Sequence, residues 1–244
     1  MKDKTLRSQV ALVFCGHGSS SKLYKLDFLN FINKIKQKFP NNKIFYCFIE
    51  KDSPMIKDCL SEIYFKFSKI IIIPLLIFQG KHYQEDILNN ISTFNKQKKS
   101  KIIVAKNLKL GKKVASITEF HIKTQLKNTE SSLLILLSSF SKKRSVYNSI
   151  YYYSKLLLKN LKFNGCLIGS FGNENSIIKE IKKKKEVKIF LHPIFLFNGF
   201  LYDSIVKKFT KEFKERLFVV EPFLQNEHFF YYVYKKVSLI LQRG

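Results

Sequence analysis

Short apolar runs alternate along the chain with longer amphipathic stretches, which is the pattern of a parallel α/β fold. The runs Val10–Gly16 and Ile70–Leu76 are almost wholly apolar, as in strands of a sheet that is covered on both faces. The intervening stretches have helical spacing. On the first predicted helix, Leu23 and Leu26 are expected on the buried face together with Ile32.

The same order of elements restarts after the polar segment Lys127–Glu130, which predicts an internal duplication. On the predicted helix 145–161, Tyr147, Ile150 and Tyr151 fall on one side. One window supports the duplication directly. Four residue types recur in it at a separation of 119 positions: Pro74 and Pro193, Phe78 and Phe197, Gly80 and Gly199, Tyr83 and Tyr202.

Composition narrows the class of protein. The 244 residues are 45% hydrophobic, so a disordered chain is excluded, and no apolar run approaches the 18 residues of a membrane span. The four cysteines show no C-x-x-C spacing. The net charge of +26 comes mostly from lysine, in a chain rich in residues with A/T-rich codons, so codon bias explains most of it. We expect a cytoplasmic protein without a nucleic-acid or membrane partner.

Two histidines and one acid follow predicted strands of the first half. His17 follows the first strand, Glu50 the second and His82 the third. Ligands of open parallel sheets bind beyond the carboxyl ends of the strands, so these side chains should meet at one edge. Two imidazoles and a carboxylate suit a divalent first-row metal. The second half has Ser139 and Leu201 where the first has histidine, so only the first half predicts such a site.

Three motifs together resemble the class II tetrapyrrole chelatases, and most closely the long, two-domain sirohydrochlorin chelatases. They are Gly16-His-Gly-Ser19, Phe48-Ile-Glu50 with Pro54 nearby, and Pro74-x-x-x-Phe78-x-Gly80-x-His82. The resemblance implies two chelatase-like lobes, each a mostly parallel sheet flanked by helices. Residues 1–128 would carry the catalytic histidines, and residues 129–244 would lack them.

The resemblance also implies a reaction. A divalent metal, Co²⁺ before Fe²⁺, would be inserted into sirohydrochlorin for cobalamin or sirohaem biosynthesis, without an organic cofactor. His17 and His82 would bind the metal, and with Glu50 they would be the catalytic residues. Only neutral imidazole ligates a metal, so binding should weaken below about pH 6.

The substrate carboxylates would be held by residues beside the motifs, and Ser19, Ser20, Lys22 and Lys81 are the candidates. Two features depart from the family pattern. Ser20 stands where the family often has arginine. The usual Leu-Gly-x-His element is reduced to Leu110-Gly-Lys-Lys.

Two other functions remain open from the sequence. The same residues could serve a metal carrier or sensor that performs no insertion. Alternatively, Gly16–Ser19 before a helix could cradle a phosphate in an α/β protein that binds phosphate or nucleic acid. The chain lacks the G-x-x-x-x-G-K-[ST] motif that would favour this second reading. The sequence allows a monomer or a homodimer, because a duplicated chain can supply both lobes by itself.

Overall fold

The computed structural model describes residues 10–78, 83–95, 100–125, 131–184 and 187–242. Its contacts divide the chain into two compact units. Unit 1 extends to Leu108 and includes the chain from Tyr232 onward, and unit 2 is Lys109–Tyr231. None of the described helices is long and apolar enough to cross a membrane.

Unit 1 alternates strands and helices. Its strands are β1 (Val10–Gly16), β2 (Lys43–Phe48), β3 (Lys69–Pro74) and β4 (Lys101–Val104). Its helices are α1 (Lys22–Lys38), α2 (Ile56–Ile63) and α3 (Asn89–Asn95), the last preceded by a π-helical turn at Tyr83–Leu88.

Unit 2 repeats the alternation. Its strands are β5 (Ser132–Ser138), β6 (Cys166–Ser170), β7 (Lys188–Pro193) and β8 (Leu217–Val219). Its helices are α4 (Lys112–Gln125), α5 (Arg144–Asn160), α6 (Glu174–Lys182) and α7 (Phe200–Phe213), with short 3₁₀ helices at Lys214–Arg216 and Phe223–Gln225. Helix α8 (Glu227–Gln242) begins in unit 2 and ends in unit 1.

The two sheets are parallel and have the same strand order, β2-β1-β3-β4 in unit 1 and β6-β5-β7-β8 in unit 2. Their registers agree as well, because Cys15 is opposite Pro74 and Leu137 is opposite Pro193. The predicted fold class is therefore confirmed. The shared register makes Ser139 the counterpart of His17, and Phe140 the counterpart of Gly18.

Strand β1 shows why the central runs are continuously apolar. Val13 packs into the core cluster that contains Leu60 of α2, on one face of the sheet. Phe14 points to the other face, where its ring lies 5.9 Å from that of Phe31 on α1. Both faces exclude water, so every position of the strand needs an apolar side chain.

The apolar stripes predicted on two helices are buried only in part. Leu23 and Leu26 are 52% and 55% exposed, and the larger rings of Tyr24 and Phe28 occupy the sheet-facing positions of α1. On α5, the exposed rings of Tyr147 and Tyr151 stack on each other with centroids 6.4 Å apart, while Val146, Ile150 and Tyr153 are buried. Several registers of an apolar stripe fit each helix, and the filling of the core selects one of them.

The compact units divide the chain differently from the predicted lobes 1–128 and 129–244. Helix α4 packs against α5 and counts with unit 2, although it follows the last strand of the first sheet. A compact unit need not coincide with a duplicated segment. The boundary of the repeat at residue 128 stays a prediction.

Candidate active site

The loops after β1 and β2 lie side by side at the carboxyl edge of the first sheet. Gly16 and Phe48 are the last opposed pair of the two strands. Beyond them the pairing continues, because the Ile49 N–H donates to the Gly16 carbonyl and the Glu50 N–H to the His17 carbonyl, both at 3.0 Å. This extension fixes the backbones of His17 and Glu50 next to each other.

The side chains of His17 and Glu50 meet at this edge. His17 Nδ1 lies 3.6 Å from Glu50 Oε1 and 3.3 Å from the Gly18 carbonyl oxygen. A proton on Nδ1 therefore has two acceptors, and this tautomer places the imidazole lone pair on Nε2. Both side chains are partly exposed, at 40% for His17 and 35% for Glu50, so a ligand can reach them. Lys51 also approaches Glu50 Oε1, at 3.6 Å.

Gly18 makes the close approach of the two loops possible. Its φ is +90°, and a Cβ at this position would lie 1.7 Å from the Glu50 carbonyl oxygen. Its N–H donates to the Tyr24 hydroxyl at 3.2 Å. Burial raises the pKa of Tyr24, so the hydroxyl stays neutral and can accept this bond. Steric fit therefore explains why the second residue after Gly16 in the Gly-His-Gly motif is again a glycine.

Asp52 fixes the position of the same loop, and the sequence analysis did not include it among the site residues. Its Oδ2 accepts the Ser19 N–H at 3.1 Å, and its Oδ1 pairs with Lys25 Nζ at 3.4 Å. Only 9% of the Asp52 side chain is exposed. By sequence the Glu50–Asp52 segment resembles a solvated loop, because the Ser19 N–H that Asp52 accepts is remote along the chain. No sequence signal marks that amide.

The structure brings two of the predicted site residues together, His17 and Glu50. Ser19 is half-buried, and its Oγ accepts the Ser21 N–H at 3.2 Å. Ser20 and Lys22 are exposed at the start of α1. The two other predicted site residues, Lys81 and His82, lie outside the described residues. Within the described ranges, no group of three His, Cys, Asp or Glu side chains is arranged to hold a metal ion.

The half of the chain that contains this edge is similar to known proteins. Residues 11–125 match the family model CbiX. Over 109 residues the chain is 28% identical to the sirohydrochlorin cobaltochelatase of Sulfolobus acidocaldarius, covering 44% of this chain and 85% of that protein. The first half of the chain is therefore similar in sequence to the chelatases of the CbiX family.

Solved structures agree with this chelatase fold over nearly the whole chain. SirB from Bacillus subtilis with Fe³⁺ superposes with a TM-score of 0.80 at 18% identity and 94% coverage of both chains. SirB from Bacillus subtilis subspecies spizizenii in complex with cobalt gives 0.77 at 19% identity, again with 94% coverage of both. CbiX, described as the terminal enzyme of sirohaem biosynthesis in denitrifying bacteria, gives 0.67 at 10% identity and covers 94% of this chain and 98% of its own.

Unit 2 has a different histidine in its interior. His192 on β7 is fully buried, and its Nε2 lies 3.1 Å from the Tyr153 hydroxyl. That hydroxyl donates to Thr118 Oγ1 at 2.6 Å. Among the described residues, His192 Nδ1 has no hydrogen-bond partner. Burial, together with nearby His121, lowers the His192 pKa to about 3, so the imidazole is neutral at physiological pH.

A cavity of about 10 Å³ adjoins this imidazole. Thr118, His121, Glu221 and Asn226 are among the residues that line it together with His192. The volume is that of about one water molecule. His192 therefore belongs to the interior of unit 2, facing α4 and α5.

Proposed function

We propose that the protein is a sirohydrochlorin chelatase that inserts a divalent metal, Co²⁺ before Fe²⁺, into its tetrapyrrole substrate. The observation that carries the proposal is the His17–Glu50 pair, half-exposed at the carboxyl edge of the first sheet. The segment that matches the CbiX model contains this pair and His82. The names of the similar proteins give the substrate, and that of the Sulfolobus relative favours cobalt.

Metal insertion requires a ligand that binds the metal weakly and a base that accepts protons. Insertion replaces two pyrrole N–H protons by one M²⁺, so two protons leave for each metal that enters. Neutral His17, with its Nδ1 proton directed to Glu50 and the Gly18 carbonyl, offers Nε2 to the metal. We assign the second ligand to His82 from its place in the sequence. Imidazole ligands can release the metal to the macrocycle because they bind it without the strength of thiolates.

We assign to Glu50 the role of accepting the pyrrole protons. Its carboxylate is 35% exposed, so it can pass protons to solvent, and its Oε1 lies 3.6 Å from Lys51 Nζ. The Gly18 carbonyl at 3.3 Å from His17 Nδ1 and the Glu50 carboxylate at 3.6 Å both favour a proton on Nδ1, which leaves the Nε2 lone pair for the metal. A carboxylate that both orients the ligand and removes protons would explain why the two loops are held so closely together.

An anaerobic absorbance assay tests the proposal. Sirohydrochlorin with Co²⁺ or Fe²⁺ loses its metal-free spectrum, and the protein should accelerate that loss. His17→Ala and His82→Ala should abolish the acceleration, and Glu50→Gln should slow it. His228→Ala, which removes an exposed histidine of unit 2, is the matched control and should not change it.

Two outcomes would count against the proposal. Folded wild-type protein that binds Co²⁺ through His17 but accelerates neither metal would instead be a metal carrier or sensor. Full turnover in both histidine variants would show that the chemistry happens elsewhere. The same assay, run in both metals, ranks them and so selects between the cobalamin and sirohaem pathways. We further propose that the enzyme acts in the cytoplasm, as a monomer or homodimer.

A further inference from the structure

The hydrogen bonds of the buried His192 determine which of its ring nitrogens carries the proton. Nε2 lies 3.1 Å from the Tyr153 hydroxyl, and that hydroxyl donates its single proton to Thr118 Oγ1 at 2.6 Å. Since the hydroxyl has no second proton to donate, it accepts from His192, and the imidazole proton is on Nε2. Nδ1 therefore carries a lone pair.

This lone pair needs a hydrogen-bond donor. Among the described residues, none donates to His192 Nδ1, although the side chain is fully buried. Burial, together with nearby His121, holds the pKa of the imidazole at about 3, so Nδ1 does not take up a proton of its own at neutral pH. Buried polar atoms are almost always bonded to protein or to ordered water, because losing hydration without a replacement is costly.

The cavity beside the ring has the size and place of the missing donor. Its volume of about 10 Å³ is that of about one water molecule. The Nε2 end of His192 is directed to Tyr153, which is not part of the cavity wall. The imidazole therefore meets the cavity with another side of the ring, and Nδ1 is the nitrogen left for that side.

The other residues of the cavity wall offer donors and acceptors to a water molecule. Asn226 Oδ1 accepts two N–H groups at the start of α8, at 3.0 and 3.2 Å, which leaves the Asn226 NH₂ group to donate. Thr118 Oγ1 accepts the tyrosine proton and still carries a proton of its own. The Glu221 side chain is 39% exposed and can accept. A buried water needs several such partners.

We propose that one ordered water molecule binds in this cavity and donates to His192 Nδ1. It connects β7 with α4, which contains Thr118, and with the segment before α8, which contains Glu221 and Asn226. A water molecule fits better than a metal ion, because within the described ranges no three His, Cys, Asp or Glu side chains are arranged to hold one. The site lies in unit 2 and does not depend on the proposed function.

A crystal structure of the whole chain tests the site directly. Electron density should show one peak at about 2.7–3.2 Å from His192 Nδ1, which is hydrogen-bond distance. A metal ion would instead lie about 2.0–2.1 Å from Nδ1, and it would give an anomalous signal in crystals soaked with Co²⁺. Such a signal would overturn the inference, and so would well-defined side chains around the cavity with no peak between them.

A pair of histidine variants tests what holds the water. His192→Phe removes the lone pair, so its crystals should lose the peak. His228→Gln, which removes an exposed histidine of the same unit, is the matched control and should keep it. A peak that persists in His192→Phe would show that Nδ1 does not hold the water, and would overturn the inference.

Nitrogen NMR of wild type labelled with ¹⁵N-histidine tests the donor direction without any variant. His192 should show a protonated Nε2 and an unprotonated Nδ1, with the Nδ1 resonance moved upfield by the hydrogen bond it accepts. A protonated Nδ1, or an unprotonated Nδ1 without that shift, would contradict the proposal. Metal insertion by wild type has no bearing on either experiment, so this inference and the proposed function fail separately.

Discussion

Acid should destabilise unit 2 through one buried side chain, His192. Burial, with a smaller effect of His121, lowers the pKa of this imidazole from 6.5 to about 3. In the unfolded chain it titrates at about 6.5. The unfolded state therefore binds a proton that the folded state does not bind. The stability that depends on neutral His192 is complete above pH 6.5 and is lost progressively as the pH falls toward 3.

The size of the effect follows from the two pKa values. At pH 5 the imidazole is almost fully protonated in the unfolded chain and almost wholly neutral in the folded one, which costs about 2 kcal/mol relative to pH 7. The carboxyls of Glu119 and Glu174 contribute at lower pH. Burial raises their pKa, but hydrogen bonds from Lys123 and from the Gly172 N–H keep it below 4.5. The interval from pH 7 to 5 thus isolates the histidine.

Urea unfolding of wild type and His192→Gln at both pH values measures the difference. The variant keeps the other groups around the site, namely Tyr153, His121 and Glu221. Wild type should lose about 2 kcal/mol more than the variant between pH 7 and 5. His228→Gln, at an exposed histidine, should behave as wild type. Equal losses in wild type and His192→Gln would refute the reasoning, whatever the absolute stability of either protein.

Three further substitutions test the groups that position the loop of His17 and the buried His192. Gly18→Ala should destabilise the fold by at least about 2 kcal/mol and reduce turnover, because its Cβ would overlap the neighbouring loop; Gly172→Ala, also at positive φ but in open space, should lose only about 1 kcal/mol in urea. Asp52→Ala should cost about 1 kcal/mol and slow insertion, since a loop N–H loses its acceptor; unchanged turnover would contradict its role. Tyr153→Phe should cost about 1–3 kcal/mol in thermal unfolding because two buried polar partners lose a hydroxyl, whereas exposed Tyr152→Phe should be neutral.

Much of the fold could be predicted because parallel sheets leave strong local signals. A strand such as β1, buried on both faces, must be apolar throughout, and the recurrence of Pro74 as Pro193 marked the duplication that the matching strand orders confirm. The meeting of His17 with Glu50 followed from topology alone. Residues that follow neighbouring parallel strands share an edge, whatever lies between them in the chain.

What the sequence could not supply depends on contacts between distant residues. Leu23 and Tyr24 are both apolar enough to lie on the buried face of α1. The space available beside the sheet selects Tyr24 for that face and leaves Leu23 exposed. Asp52 looked like any loop acid until its contact with the Ser19 N–H was known. His192 is of a residue type that often serves in functional sites. Its burial against Tyr153 is a packing fact that no local pattern encodes.

The two units carry different chemistry on the same framework, and the residue after the first strand explains the difference. In unit 1 that loop contains Gly18, which lets a neighbouring carbonyl approach closely and brings His17 onto Glu50. Unit 2 has Phe140 at the same place, and the ring stays in solvent instead of allowing such an approach. The same framework therefore carries a polar His17–Glu50 pair at the edge of one sheet and an exposed phenylalanine at the corresponding place in the other.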